Sequence, residues 1–250
     1  MLKSLYTMLI TIFSTLLYWS ISVASEPITL PAFAKLKANY PGYKHHGGPL
    51  NNHHLIRMIG CESNLLLHDT SALRLSRALN KVGEPHSLGK ELIRLSKFGR
   101  DSVPGKDGLQ YIYHPIAYGP YLADKYGYPS VSKLHQTDPV DTKKNFWGKQ
   151  GILRVITYTK KQNRPKGHVA LWDCNQFHQS KDWIAGRSLI TVEFWEAPDS
   201  NCEHMADTEP VDHEIEKSLP TLPPQYKKLF RHNSWRKHFL KKINFQIKNR

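Results

Sequence analysis

The sequence is short of cysteine, of long apolar runs and of acid. Three cysteines in 250 residues, Cys61, Cys174 and Cys202, are too few for a disulfide scaffold. Being odd in number, they allow at most one intrachain bridge and leave one thiol over. Pairing of Cys174 with Cys202 would tie the end of one expected strand to the segment after the next. No two close Cys/His pairs are spaced for zinc, and His45-His46 and His53-His54 have no thiol or carboxylate near them in sequence. They read as surface loop, so neither a metal nor a cofactor is expected. The apolar fraction of 40% supports a core but excludes a polytopic membrane protein. Acidic side chains number 21 against 35 basic ones, a net charge of +14, which leaves nucleic acid, anionic lipid and the anionic bacterial wall as partner classes.

The one apolar run lies at the front. Lys3, then Met8-Leu9-Ile10-Thr11-Ile12-Phe13-Ser14-Thr15-Leu16-Leu17, then the small residues Ser22-Val23-Ala24-Ser25 have the order of a cleavable secretory leader over residues 1–25. Interruption by Ser14, Thr15 and Ser20 argues against a retained anchor. The mature protein is therefore expected to be secreted or periplasmic.

Residues 26–60 read as loop, punctuated by Pro27, Pro31, Pro41 and Gly42. Leu75, Leu79 and Val82 then recur at helical spacing, with Asp69 and Thr70 as N-cap residues and Gly83 and Pro85 as the stop. Ser71 falls in the first turn of that helix, facing the positive end of its dipole, where a developing anion is stabilised. Residues 87–95 read as a short second helix, and a further helix begins at Pro120 and ends at Gly127. From Phe146 the character changes. Segments 151–158, 167–173 and 188–195 are rich in β-branched and aromatic residues and read as strands. Helices followed by strands give an α+β order. Residues 197–225 are acidic and proline-rich, a linker; 226–250 place Phe230, Trp235, Phe239, Ile243 and Phe245 among Lys and Arg, a basic amphipathic tail suited to an anionic surface. No recognised nucleic-acid motif accompanies the tail, so nucleic acid is the weakest of the partner classes.

Two motifs carry a resemblance. Asp69-Thr70-Ser71-Ala72-Leu73-Arg74-Leu75-Ser76-Arg77-Ala78-Leu79-Asn80 resembles the nucleophile motif of the fourth group of type VI secretion amidase effectors. These belong among the NlpC-like, papain-like peptidoglycan amidases. Gly167-His168-Val169-Ala170-Leu171-Trp172-Asp173 resembles their Gly-His-apolar-x-Leu-Trp-Asn/Asp segment. The resemblance implies a papain-like core in residues 26–196, with N-terminal helices packed on an antiparallel sheet. It also implies hydrolysis of the D-glutamate–meso-diaminopimelate amide in the wall's peptide stem, and a cognate immunity protein as partner. By the same resemblance Ser71 takes the nucleophile position, held in the family by cysteine, and His168 that of the base. The orienting carboxylate of the family lies beyond the Trp-Asn/Asp pair, which Asp182 matches best; Asp173 and His178 are rivals.

Serine in place of cysteine leaves two readings. A thiol is ionised by a helix start and a histidine, whereas a serine hydroxyl must lose its proton during attack. The chain is thus either a serine-nucleophile amidase or an inactive relative that binds wall or another anionic surface. Cys61, ten residues upstream, has no helix-start context that would make it a displaced nucleophile. Type VI effectors leave the cytoplasm directly and need no leader, so leader and resemblance imply different export routes.

Overall fold

The computed structural model describes residues 26–61, 69–95, 99–136, 139–157, 166–185 and 189–203. The expected leader, most of the acidic linker and the basic tail lie outside these residues. The helices are α1 (Phe33–Asn39), α2 (Asn52–Ile59), α3 (Ser71–Val82), α4 (Pro115–Tyr126) and α5 (Pro139–Lys144). The strands are β1 (Ser102–Pro104), β2 (Gln110–Ile112), β3 (Val131–Gln136), β4 (Lys149–Thr157), β5 (Lys166–Cys174), β6 (Gln176–Phe177) and β7 (Leu189–Glu196). Strands β1 and β2 form a separate hairpin, and the other five form one antiparallel sheet in the order β3-β7-β4-β5-β6. The α+β expectation holds: N-terminal helices pack on an antiparallel five-stranded sheet, with the β1–β2 hairpin, α4, β3 and α5 lying between the first three helices and β4 in the chain.

Helix α3 is the centre of the molecule. Nine of its twelve residues are buried, including Arg74, Ser76 and Asn80. It is therefore not a surface helix with one apolar stripe but a helix covered on nearly every side. Ala72, Leu75, Ala78 and Leu79 join the main core with Trp172, Phe146 and Phe194 from the sheet side, while Leu73 joins a second cluster with Leu55, Ile59, Cys61 and Tyr111. At about 25 cal/mol per Å² of apolar surface, burying one leucine side chain contributes roughly 1.5–3 kcal/mol. Two apolar clusters on opposite sides thus fix the helix in place.

Its buried polar residues each meet the need for a partner. The Ser76 hydroxyl donates to the carbonyls of Ala72 (2.9 Å) and Ile112 (3.1 Å) and shares a 2.6 Å hydrogen bond with the Tyr118 hydroxyl. Asn80 accepts from the Leu88 N–H at 2.8 Å and donates to the Gln110 carbonyl at 3.0 Å. These bonds hold residues 87–95 in a non-helical path, with Gln110 N–H donating to Gly89 and the Gln110 amide to the Lys90 carbonyl. The short helix expected there is absent, because this segment lends its backbone to α3 and β2 instead.

Three further differences have local causes. Residues 26–60 contain α1 and α2, hidden from a reading that weighed their prolines and glycines. Asn51 caps α2 by accepting from the His54 N–H at 2.8 Å, and Gly60 ends it in the left-handed region at φ 77°. Helix α4 starts at Pro115 rather than Pro120, which lies inside it; His114 caps it and Pro115 takes the first position. Residues 197–203 do not leave the domain: Gln150 N–H donates to Ser200, Asn201 N–H donates to Gln150, and Cys174 is bridged to Cys202.

Candidate active site

Strand β5 brings His168 into the site. In register, His168 stands opposite Val155 of β4, with Ala170 and Trp172 following it on the same face. All three are buried. Strand β6 pairs with Trp172 and Asp173, and among the described residues no strand pairs with the edge of β5 beyond it. There the N-terminus of α3 closes against β5, and the Val169 N–H donates to the Ser71 hydroxyl at 3.2 Å. Ser71 is fully buried at 0% exposure.

Asp69 sits just ahead of α3. One carboxylate oxygen accepts from the Ser71 N–H (2.7 Å) and the Tyr43 hydroxyl (2.7 Å); the other lies 2.8 Å from Nδ1 of His168. Burial works against the ionised form of Asp69. The His168 imidazole and the hydrogen bonds from His168, Tyr43 and the Ser71 N–H outweigh it and hold the carboxyl well below its ordinary range. Burial first, then the Asp69 charge, pushes the Tyr43 phenol far above its usual value, so Tyr43 remains a donor.

On the other side of the ring, Nε2 of His168 lies 2.9 Å from the Ser180 hydroxyl. The Trp183 indole stacks on the imidazole with centroids 4.7 Å apart and planes at 11°, and Phe177 meets it edge-on at 5.7 Å. The histidine is thus clamped between aromatic rings with both nitrogens engaged. A cleft of about 190 Å³ opens over it, lined by Tyr43, His46, Asp69, Ser180, Lys181 and Trp183. That is below the roughly 300 Å³ at which small-molecule pockets begin, so a substrate chain would lie across the cleft and place only a short part within it.

Arg74, one turn into α3, fastens the cleft's far wall. Its guanidinium donates to the carbonyls of Pro41, Gly42 (2.7 Å) and Leu50 (3.1 Å), to Asn52 Oδ1 (3.1 Å) and, through Nε, to Thr70 Oγ1 (3.0 Å). It also lies 3.8 Å from the centroid of the Tyr43 ring. The planar fork suits this work, since it meets several carbonyls at fixed angles.

The structure brings Ser71 and His168 to one place but does not join them. Among the described residues the ring nitrogens of His168 bond Asp69 and Ser180, and the Ser71 hydroxyl bonds the Val169 N–H. Asp182 is placed elsewhere. It pairs with the buried Lys143, and its other oxygen accepts from the Ile184 N–H (2.9 Å) and Ala185 N–H (3.1 Å), fixing the turn that presents Trp183. Asp173 is bound by Lys37 (2.7 Å) and Gln150 (2.7 Å), and His178 stands 3.8 Å from Asp173. The carboxylate at the imidazole is Asp69, which the sequence offered only as a helix cap. Cys61 lies in the second apolar cluster, where burial pushes its thiol up, opposite to what a thiolate nucleophile needs.

The larger hollow, about 480 Å³ between α4, β3 and β7, contains neither histidine nor cysteine, and its charged residues Arg154 and Glu193 pair with each other. A buried helix start closing on a histidine-bearing strand of an antiparallel sheet is the frame of the site in this α+β fold.

The chain belongs to the family of type VI secretion system amidase effector protein 4, whose family model matches residues 67–195, just over half of its length. Among solved structures, the type VI effector Tae4 from Enterobacter cloacae aligns with a TM-score of 0.51 at 20% identity, covering 68% of this chain and 99% of that one. The effector–immunity complex Tae4–Tai4 from Salmonella Typhimurium aligns with a TM-score of 0.51 at 20% identity, covering 68% of this chain and 100% of that one. No curated protein matches the chain.

Proposed function

We propose that this protein is a secreted or periplasmic peptidoglycan amidase that hydrolyses the peptide stem, at a D-glutamate–meso-diaminopimelate type of bond. The carrying observation is the His168–Asp69 pair at 2.8 Å, beneath a cleft in a fold of the amidase effector family. An ionised Asp69 fixes the imidazole tautomer and stabilises the imidazolium that forms when His168 takes a proton. His46 and Lys181 on the cleft and the net charge of +14 favour an anionic wall polymer. The leader-like residues 1–25 and the Cys174–Cys202 bridge suit an oxidising compartment outside the cytoplasm. No described helix is long and apolar enough to cross a membrane. Homologous effectors are seen bound to Tai4 immunity proteins, and a cognate immunity protein of that kind is proposed as a partner here. The basic run 226–250 would add attachment to an anionic surface.

One observation favours a second reading. The hydroxyl at the family's nucleophile position, Ser71, is buried and held by the Val169 N–H, as suits a wall-binding protein that does not cut. Purified protein incubated with peptidoglycan separates the two, with released fragments weighed by mass spectrometry and retained protein measured by sedimentation. Release of stem fragments by the wild type and not by His168→Ala supports the amidase. Retention on the wall without fragments from either supports the binder.

A further inference from the structure

Two buried serines lie near His168, and they differ in their bond to the imidazole and in whether they line the cleft. Ser180 Oγ lies 2.9 Å from Nε2, whereas Ser71 Oγ accepts the Val169 N–H and bonds neither ring nitrogen. Ser180 lines the cleft at 9% exposure, and Ser71 is at 0% and does not line it. The direction of the Ser180 bond follows from the other side of the ring. An ionised Asp69 can only accept, so Nδ1 of the neutral imidazole carries the proton and Nε2 presents its lone pair to the Ser180 O–H. Nucleophile, base and orienting carboxylate then stand in the order required for activating a hydroxyl.

The backbone ahead of Ser180 is held in place as well. Gln179 adopts the left-handed region at φ 48°, uncommon for a residue with a side chain. Its carbonyl accepts from the Tyr43 N–H at 2.9 Å, and its amide donates to the Gly47 carbonyl at 3.3 Å. The loop bearing Ser180 is thereby fastened to the turn that Arg74 holds from α3. A non-glycine residue persists in this conformation where surrounding contacts impose it.

We infer that Ser180, rather than Ser71, is the nucleophile of this site, with His168 as its base and Asp69 as the orienting carboxylate. The inference rests on the amidase reading above. In the first step Ser180 Oγ bonds to the amide carbonyl carbon while its proton passes to His168 Nε2. The C–N bond then breaks, and the leaving amine takes that proton. In the second step water attacks the acyl-serine ester, gives its proton to His168, and the ester C–O bond breaks as Ser180 recovers its proton. The products are a carboxylic acid and an amine, and no other reactant is needed.

The test treats full-length protein with a fluorophosphonate, which phosphonylates an activated serine with loss of fluoride. Tryptic peptides are then mapped. The two serines fall on different peptides, ending at Arg74 and at Lys181. Wild type, Ser71→Ala, Ser180→Ala, Ser180→Cys and His168→Ala are run beside a peptidoglycan digestion. The inference expects the label on the Ser180 peptide, kept in Ser71→Ala and lost in Ser180→Ala and His168→Ala. Fragment release should fall by about 10⁴-fold in Ser180→Ala and be partly regained in Ser180→Cys. A label on the Ser71 peptide overturns the inference and leaves the amidase standing, as does fragment release without any label. Label on Ser180 without fragments keeps the nucleophile and refutes the wall substrate. Neither label nor fragments refutes both.

Discussion

Replacing Arg74 with alanine should destabilise the protein by about 3–5 kcal/mol, and the structure shows where that figure comes from. Of its backbone acceptors, Gly42 and Leu50 keep a partner when the guanidinium is gone, from the Leu50 N–H and the Lys44 N–H respectively. Asn52 Oδ1 keeps the Thr70 hydroxyl at 2.8 Å. The Pro41 carbonyl accepts from Arg74 in a buried place, and leaving such an acceptor unpaired costs about 1–3 kcal/mol. Loss of the cation over the Tyr43 ring, 3.8 Å from its centroid, adds about 1–2 kcal/mol in a desolvated setting. The remainder is the cavity left by one of the largest fully buried side chains in the protein. Arg74→Lys keeps the charge but cannot reach carbonyls and side chains together, and about 2 kcal/mol should still be lost. Urea unfolding followed by tryptophan fluorescence measures both variants. In thermal scans the alanine variant should melt roughly 6–20 °C lower, at about 2–4 °C per kcal/mol for a domain of this size. A loss below about 1 kcal/mol for Arg74→Ala would refute the account of Arg74 as the tie between α3 and the 41–50 segment.

The other predictions follow from single contacts. Asp69 has its folded pKa depressed, so its stabilising contribution is complete above the ordinary aspartate range near about 4 and is lost as pH falls through the folded value. The stability gap between wild type and Asp69→Asn should therefore be widest above about pH 5 and narrow progressively in more acid solution, read by urea unfolding across pH. Removing the Cys174–Cys202 bridge by Cys174→Ser with Cys202→Ser opens a loop of 28 residues' separation, which should cost about 3–4 kcal/mol in the chain-entropy account, measured by the shift in urea midpoint. Asp182→Ala removes a carboxylate that pairs with Lys143 and accepts from the Ile184 and Ala185 N–H groups, and should cost about 1–3 kcal/mol of stability, read by urea unfolding. If Asp182 instead orients the imidazole, its loss would reshape the pH–rate profile of fragment release with little change in melting temperature.

The central strands were legible from residues alone, because β4 and β5 are continuous β-branched and aromatic runs buried on both faces, whereas the largely exposed β3 and the two-residue β6 carry no such run. Helix α3 announced itself by its period, but its central position did not. Arg74, Ser76 and Asn80 look like solvent-facing residues until Pro41, Tyr118 and Leu88 are found opposite them. Helices α1 and α2 were obscured by the prolines and glycines that separate them, and Pro120 was misread as a start because it lies one turn within α4. At the site, the paired motifs singled out Ser71 and His168, while the residues that touch the imidazole were hidden by distance along the chain. Asp69 is 99 residues from His168 and carried an adequate local role as a helix cap. Ser180 has no spacing signal at all. Its meeting with His168 depends on the two-residue strand β6, which turns the chain back beside β5. Asp182 shows the converse: a residue well placed in sequence, next to the Trp183 that stacks on the ring, whose carboxylate is drawn to Lys143.

The central claim is that His168, oriented by Asp69, is the base of a working amidase. The most direct measurement is kcat/KM for stem-fragment release by wild type and Asp69→Asn, with both shown folded by their unfolding transitions. The account predicts a loss of about 10³–10⁴-fold in Asp69→Asn, since an amide there leaves the imidazole in the wrong tautomer and its cation unstabilised. Equal rates from the two proteins would contradict it.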